Sequence, residues 1–497
     1  MNSPSLQSAP LEPLKELSLT PFERFQYWET RVDYPNQIVA VLDFVGRLNV
    51  PCFIEAVATV LPRHPLLYSR LKIVGNSPVA FVWPVAASPH GDVLERSPLA
   101  GQAVAELDNE SLVAALVRLG LQDYVRMERK PDDWVPGQLH DLPNVQPELG
   151  PAFCLTIQFS RTQCRWVMQT HHVVCDGLGG LQSIRELLQV YHWRSTDPQQ
   201  PFPLRSLPIE RLINRGRMIR GAASLGSRLA KLPMKWIGLF GASKFLWRRP
   251  VGLSASADQE EGGSRHGSEI TWVDGGLSGS QSRRLRQVAK EFGVTVNSLL
   301  LAQWLATLHR FRVQHGLTTP QSEDCYRLMI PTNERTGGDV ALSACNQVSM
   351  VYVDRWPREM EHLDGLAAGI DYEMSIIRRW GLSGTFLLAL RVLGWFPSLL
   401  RWYARRPSCW ATSYVTNLGP ILDRLRVGQE GEKSRVGELT LHEVRLLPPL
   451  RPALPAALAV HVYAGQVRLT LHYDRGEITS EHAGELLQSL LNRLRTL

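Results

Sequence analysis

Apolar and polar positions alternate along this chain in short blocks, some with period two and others with helical spacing. Ile38 to Val45, rich in Val, Ile and Phe, predicts a strand. Val50 to Val60 follows at helical spacing with Phe53, Val57 and Val60 on one face. Val79 to Trp83 predicts another strand, and the five prolines of residues 128–151 predict a long loop. Ala152 to Phe159 and Cys164 to Val174 predict an antiparallel pair. Leu181 to Trp193 then predicts a helix with Ile184, Leu187, Leu188 and Tyr191 on one side.

The second half repeats this grammar. Leu253 to Gly267 has the composition of a linker. Glu269 to Val273 predicts a strand, and Ser280 is placed to N-cap a helix that ends before Gly293. Val296 to Phe311 is apolar enough to be a buried helix. Ala456 to Tyr463 and Gln466 to Tyr473 form a hairpin across Ala464-Gly465, and a last helix runs from Ser480 to Leu494. These elements predict an α/β protein of two similar lobes, 1–200 and 268–497, joined by 201–267. Residues 1–17, with three prolines, form a loose lead-in.

With 497 residues the chain has room for two substantial cores. At 44% hydrophobic and 20% charged it has a globular composition, not a disordered one. A net charge of +7 suits an anionic ligand or an acidic membrane surface. Zinc-finger spacings and aromatic RNA-binding boxes are missing, which sets nucleic acid aside. Seven scattered cysteines without a Cys-x-x-Cys pair argue against a disulfide framework and for a reducing cytoplasm. The N-terminus lacks the charged and apolar regions of a secretory signal. The nearest approach to a spanning helix, Phe386 to Leu400, is interrupted by Arg391 and Pro397.

Residues 205–249 stand out, with eleven basic side chains against the single acid Glu210, interleaved with Trp, Phe, Leu and Ile. Two readings fit. One is a peripheral membrane contact, basic on one face and apolar on the other; the other is an amphipathic insertion packed on the protein with its charges solvated.

The chemistry concentrates where Trp166-Val167-Met168 leads into Thr170-His171-His172-Val173-Val174-Cys175-Asp176-Gly177, a buried strand running into a tight turn. Neighbouring residues on a strand face opposite sides, so one histidine points into a given cavity. A neutral imidazole at a strand end makes a general base near pH 7. The same divergence argues against zinc held by His171, His172, Cys175 and Asp176. Cys175 reads as a small buried residue rather than a nucleophile. A helix starting beyond Gly177-Leu178-Gly179-Gly180 directs its free N–H groups toward the site.

His171-His172-x-x-x-Asp176-Gly177 resembles the signature of an acyltransferase superfamily. That superfamily includes chloramphenicol acetyltransferase, peptide-synthetase condensation domains, wax ester synthases and mycobacterial polyketide-associated acyltransferases. Other segments follow in the family's order: Leu19 to Arg24, Leu61 to Leu67, Val294 to Ala302, Pro331 to Arg335 and Cys345 to Ser349. Val415-Thr416-Asn417-Leu418-Gly419-Pro420 approximates the Ser-Asn-x-x-Gly-Pro segment of wax ester synthases and alcohol acyltransferases.

The resemblance implies two chloramphenicol-acetyltransferase-like lobes, each a mainly antiparallel or mixed sheet with flanking helices, and an active-site tunnel between them. It implies that His172 deprotonates an acceptor, which attacks a pantetheine thioester directly. The donor is acyl-CoA or acyl-phosphopantetheine as co-substrate, with no permanently bound cofactor and no metal. His171 then points away and supports the strand, while Asp176 pairs with Arg335 instead of orienting His172. Gly177 stands where a side chain would crowd the channel or strain the turn. Ser413, Thr416 and Asn417, on or after the stretch Trp410 to Val415, are candidates to donate to the oxyanion or bind substrate; ordinary turn chemistry also explains Asn417 to Pro420. With no carrier or adenylation domain in the sequence, a small-molecule or lipid alcohol is the expected acceptor. The alternatives are a condensation domain forming amides or esters on acyl carrier proteins, and a non-catalytic binding member of the fold.

Overall fold

The computed structural model describes residues 16–75, 77–82, 109–118, 120–137, 139, 144–197, 204–207, 209–216, 247–253, 271–335, 342–406, 408–423 and 425–497. The N-terminal half supplies β1 (Glu16–Ser18), β2 (Gln37–Gly46), β3 (Arg70–Val74), β4 (Ser77–Val82), β5 (Val125–Arg129), β6 (Phe153–Phe159) and β7 (Gln163–His171). Its helices are α1 (Pro21–Glu29), α2 (Val50–Val60), α3 (Asn109–Arg118) and α4 (Gly177–Thr196). The second half adds β8 (Thr271–Gly276), β9 (Tyr326–Asn333), β10 (Val348–Arg355), β11 (Ser413–Pro420), β12 (Gly428–Glu430), β13 (Lys433–Val436), β14 (Leu439–Leu447), β15 (Ala456–Tyr463) and β16 (Gln466–Tyr473). Helices α5 (Gly279–Glu291), α6 (Val296–Gln314), α7 (Leu363–Trp380), α8 (Gly384–Leu393), α9 (Pro397–Arg405) and α10 (Ser480–Arg495) complete it.

Among the described residues the strands form three sheets. One runs β12-β13-β14-β2-β7-β6-β5, a second β10-β9-β11-β15-β16-β8, and a small third β1-β4-β3. In the second sheet, Leu328, Ile330, Val415, Leu458 and Leu469 face a core shared with helices α5, α6, α7 and α10. Met329, Met350, Tyr414 and Ala457 face the other way, toward the N-terminal half. The β15–β16 hairpin turns on Ala464 and Gly465 at φ of +48° and +70°, the left-handed pair of a two-residue turn matched to strand twist.

One stretch crosses between the halves. Residues 428–447 extend the N-terminal sheet, with β14 antiparallel to β2 from Leu439↔Gly46 to Leu447↔Val39. Residue 268 therefore does not separate one sheet from the other. An ionic network reinforces the junction: Arg165 of β7 and Arg445 of β14 share Asp43 of β2, and Arg445 Nε also reaches Asp274 of β8 at 3.0 Å.

Several boundaries differ from those expected. Helix α4 begins at Gly177, four residues before Leu181, because Asp176 caps it and satisfies the Gly179 amide at 2.9 Å. The strand carrying the signature stops at His171, and a turn follows. Ser278, not Ser280, caps α5, in a reciprocal box with Gln281. Strand β5 pairs in parallel with β6, and its end occupies the start of the expected 128–151 loop. The linker beyond Leu253 lies outside the described residues.

Of the eleven basic residues in 205–249, Arg217, Arg220, Arg228, Lys231, Lys235 and Lys244 also lie outside them. Arg215 is not a solvated charge. It is buried, its guanidinium forked onto Glu23 of α1 at 2.7 and 2.8 Å and bonded to the Ser18 and Leu212 carbonyls. Arg248 stacks over Trp356 at 4.6 Å and reaches Asp354.

Candidate active site

The turn after β7 divides the two histidines. His171, still paired with Gln37 across the ladder, is fully buried. Its Nδ1 accepts from the Val173 amide at 3.1 Å, which leaves the proton on Nε2, directed at the Thr30 hydroxyl at 3.0 Å. Burial, with His172 beside it, pushes its pKa down to about 3, so it is held neutral. His172 leaves the ladder: its amide donates to the Asn36 carbonyl at 2.9 Å, and its ring enters a cavity. Nδ1 is enclosed without a hydrogen bond among the described residues, and the Phe22 ring meets the imidazole edge-on at 6.3 Å between centroids. Burial lowers the His172 pKa, against the opposing pull of its own carbonyl, the Asp176 charge and Asn346. The imidazole is thus held neutral.

Asp176 holds the turn from behind. Its carboxylate takes both arms of Arg335 at 2.9 Å each, the Gln347 amide at 2.7 Å and the Gly179 amide. Burial favours its neutral form, but the Arg335 charge and these hydrogen bonds win and bring the pKa below the ordinary value. All this occupies the carboxylate away from His172. Arg335 also donates to the Cys345 carbonyl at 3.0 Å, and Asn346 Nδ2 donates to the His172 and Val173 carbonyls at 2.8 and 3.0 Å. The segment 342–347 of the second half therefore clamps the His172–Asp176 turn of the first.

Two cavities meet at this turn. The larger encloses about 560 Å³ and lies between the halves. Ile38, Met168 and Ile184 line it from one side, Ile330, Thr416 and Met374 from the other, with Arg378 among its charged groups. The smaller is aromatic, walled by Phe22, Phe25, Tyr352, Phe386 and Trp410, with Glu29 and Arg451 paired within it. His172, Tyr414 and Pro449 line both.

Strand parity sorts the oxyanion candidates. Thr416 lines the larger cavity, as does Asn417 beyond it. Asn417 is engaged at both ends of its amide, donating to Asn297 at 3.0 Å and accepting from the Gly419 amide at 2.9 Å. Ser413 has the opposite parity: it accepts from Trp304 at 3.0 Å within the core and reaches neither cavity. Gly177 lines the cavity, but a Cβ there would meet nothing nearer than Leu418 at 3.6 Å, and its φ is not positive. Crowding belongs to Gly179, whose Cβ would stand 3.1 Å from the Cys345 backbone. Cys175 is fully buried, and burial pushes its thiol pKa well above the ordinary value, unsuited to attack.

Tyr414 and Asn346 join the site without being among the site residues expected from the sequence, although Asn346 lies within the Cys345 to Ser349 segment. Tyr414 lies two residues before Thr416 on the same cavity-facing side of the strand, and burial raises its pKa. Tyr414 reads as an ordinary strand aromatic, although a tyrosine two residues before a threonine on one strand face is a signal that was available. Asn346 acts across 174 residues of sequence, beyond any local pattern.

The architecture is that of condensation domains, a two-lobed α/β fold of the chloramphenicol-acetyltransferase type. The first condensation domain of the calcium-dependent antibiotic synthetase superposes with a TM-score of 0.62 at 13% identity, over 97% of this chain and 95% of that one. Polyketide synthase associated protein 5 from Mycobacterium tuberculosis gives 0.59 at 14% identity over 97% of both chains. The starter condensation domain of rhizomide synthetase, solved as a mutant with C8-CoA, gives 0.59 at 15% identity over 97% and 95%. No family model matches the sequence.

Proposed function

We propose that this protein is an acyltransferase that moves an acyl group from a pantetheine thioester to an acceptor hydroxyl. The observation that carries the reading is the placement of a buried, neutral His172 where two cavities of different character meet. The larger, apolar along Ile38, Met168, Ile184 and Ile330, suits the acyl thioester, and Arg378 suits the phosphates of CoA. The aromatic cavity, at about 40 Å³, has room for little more than the hydroxyl-bearing end of an acceptor alcohol. A thioester and an acceptor entering from the two sides of such a tunnel would meet at the imidazole.

His172 takes the proton of the acceptor hydroxyl as its oxygen bonds to the thioester carbonyl carbon. The negative charge moves onto the carbonyl oxygen, where Thr416, on the wall of the larger cavity, supplies a donor. Collapse breaks the carbon–sulfur bond, and the departing thiolate takes the proton back from His172. The lowered pKa of the imidazole favours that return. Asp176 and Arg335 keep the turn in place and exchange no proton.

The test is mass spectrometry of products from acyl-CoA and acyl-carrier thioesters, each offered to alcohols and amines, with His172→Ala as blank. An ester formed by the wild type and not by the blank supports the reading. Amide products from carrier thioesters would replace it with the condensation chemistry of the neighbours, and no turnover of any thioester would leave a binding protein.

A further inference from the structure

We propose that the outer face of helices α8 and α9 is a docking surface for an anionic lipid bilayer. The two helices are amphipathic in an unusual way. Their inner residues, among them Phe386, Leu390, Leu400 and Ala404, pack on Phe22, Phe25 and Trp28 of α1. Their outer residues and the turn between them are also apolar: Leu388, Val392, Trp395, Phe396, Leu399 and Trp402 are all exposed, Trp395 at 72% and Trp402 at 57%. Exposed large apolar side chains normally occur singly, and a run of six on one helix pair marks an interaction surface.

Charge selects the occupant. From Met374 to Leu422 the sequence contains no aspartate or glutamate but six arginines, Arg378, Arg379, Arg391, Arg401, Arg405 and Arg406. Arg391, Arg405 and Arg406 are exposed beside the apolar row, and Arg406 lies over the Trp402 ring at 5.4 Å. Guanidinium groups around a patch of tryptophan, phenylalanine and leucine match a bilayer interface, where phosphates lie above the acyl chains. A second copy across a two-fold axis would set arginines against arginines, with no carboxylate in the 374–422 segment to pair them. Neither helix approaches the roughly 20 residues needed to span, so the pair lies in the plane of the interface. No helix among the described residues is long and apolar enough to cross a membrane.

The surface adjoins the site. Phe386, on the inner side of α8, lines the aromatic cavity that contains His172. A docked α8–α9 face would bring that cavity close to the headgroups. Docking itself is independent of the acyl-transfer reading, and its test needs no substrate.

The experiment is flotation of the full chain with phosphatidylcholine vesicles and with mixed phosphatidylcholine/phosphatidylglycerol vesicles, at low and high salt. The wild type is expected to float with the anionic vesicles at low salt and to be released by high salt. Trp395→Ser with Trp402→Ser should cut the bound fraction about tenfold, as should Arg401→Gln with Arg405→Gln and Arg406→Gln. Far-UV circular dichroism and thermal melting should show both variants folded, since the tryptophans and two of the arginines project outward. Undiminished flotation of the folded tryptophan variant would overturn the proposal and move the contact elsewhere, for instance to 217–246. So would equal binding to neutral vesicles, or none to either. Capture by an acidic acyl carrier protein without vesicle binding, or a wild-type dimer in light scattering that the tryptophan variant abolishes, would also overturn it.

Discussion

Asp176 and Arg335 stand 159 residues apart in the sequence and meet through two hydrogen bonds of 2.9 Å, one to each carboxylate oxygen. The pair ties the capped start of α4 to the end of β9. Breaking such a pair from one side leaves a buried charge uncompensated, at a cost of about 3–5 kcal/mol. Asp176→Asn keeps a competent helix cap but loses the charge, and Arg335→Ala leaves the carboxylate buried. Each is expected to lower both stability and activity, and the double variant to lose less than the sum. Urea unfolding of the cycle checks this; fully additive losses would mean the two side chains act separately.

His172→Ala is expected to fold normally and to reduce acyl transfer by about 10²–10⁴-fold, the worth of a general base. His171→Ala should chiefly destabilise, since it removes the bonds to Thr30 and Val173 and leaves the base in place. Activity measured per folded molecule separates the two. Equal loss of stability, with activity following the folded fraction in both, would undo the assignment.

Acid should act on each histidine differently. His172 has a lowered pKa, so the acid limb of the rate profile is expected below the ordinary value of 6.5. His171 titrates near 3 in the fold against 6.5 when free. Between those values the unfolded chain binds the extra proton, so stability is complete above about pH 6.5 and is lost as pH falls toward 3. The slope of unfolding free energy against pH over that window should decrease in His171→Gln. An unchanged slope would place the titration in other groups.

The two glycines of the first turn of α4 should behave oppositely. Gly177→Ala is expected to be neutral or slightly stabilising, because the methyl has room and alanine favours the helix by up to about 1 kcal/mol. Gly179→Ala should cost about 1–3 kcal/mol, since the methyl pushes on the Cys345 backbone and so on the clamp around His172. Thermal melts of the two variants decide it.

What could be read in advance follows a physical divide. Helix Val50–Val60 and the hairpin at Ala464-Gly465 were legible because spacing and a left-handed turn are local facts. His172, Asp176 and Arg335 were named from a motif, and the structure brings them together. Ser413 was misread because Thr412, Ser413 and Thr416 are polar on both faces of their stretch, so composition could not reveal which parity faces the cavity. The helix start at Gly177 was missed because three glycines in four residues argue against a helix, while the Asp176 cap outweighs that penalty. Asn346 and the crossing of residues 428–447 depend on partners distant in the sequence, 174 residues away for Asn346, and leave no periodic trace.

That crossing makes this chain a poor candidate for dissection. In the intact protein the backbone of β2 is paired on both sides, by β7 and by β14. A fragment ending before residue 428 would release one side as a long open edge through Val39, Val41 and Phe44, the kind of edge that recruits other chains. Synthesis faces the same exposure, because β2 must wait some four hundred residues for its second partner. The early half of the protein is thus most vulnerable to misassociation until its last quarter has been made.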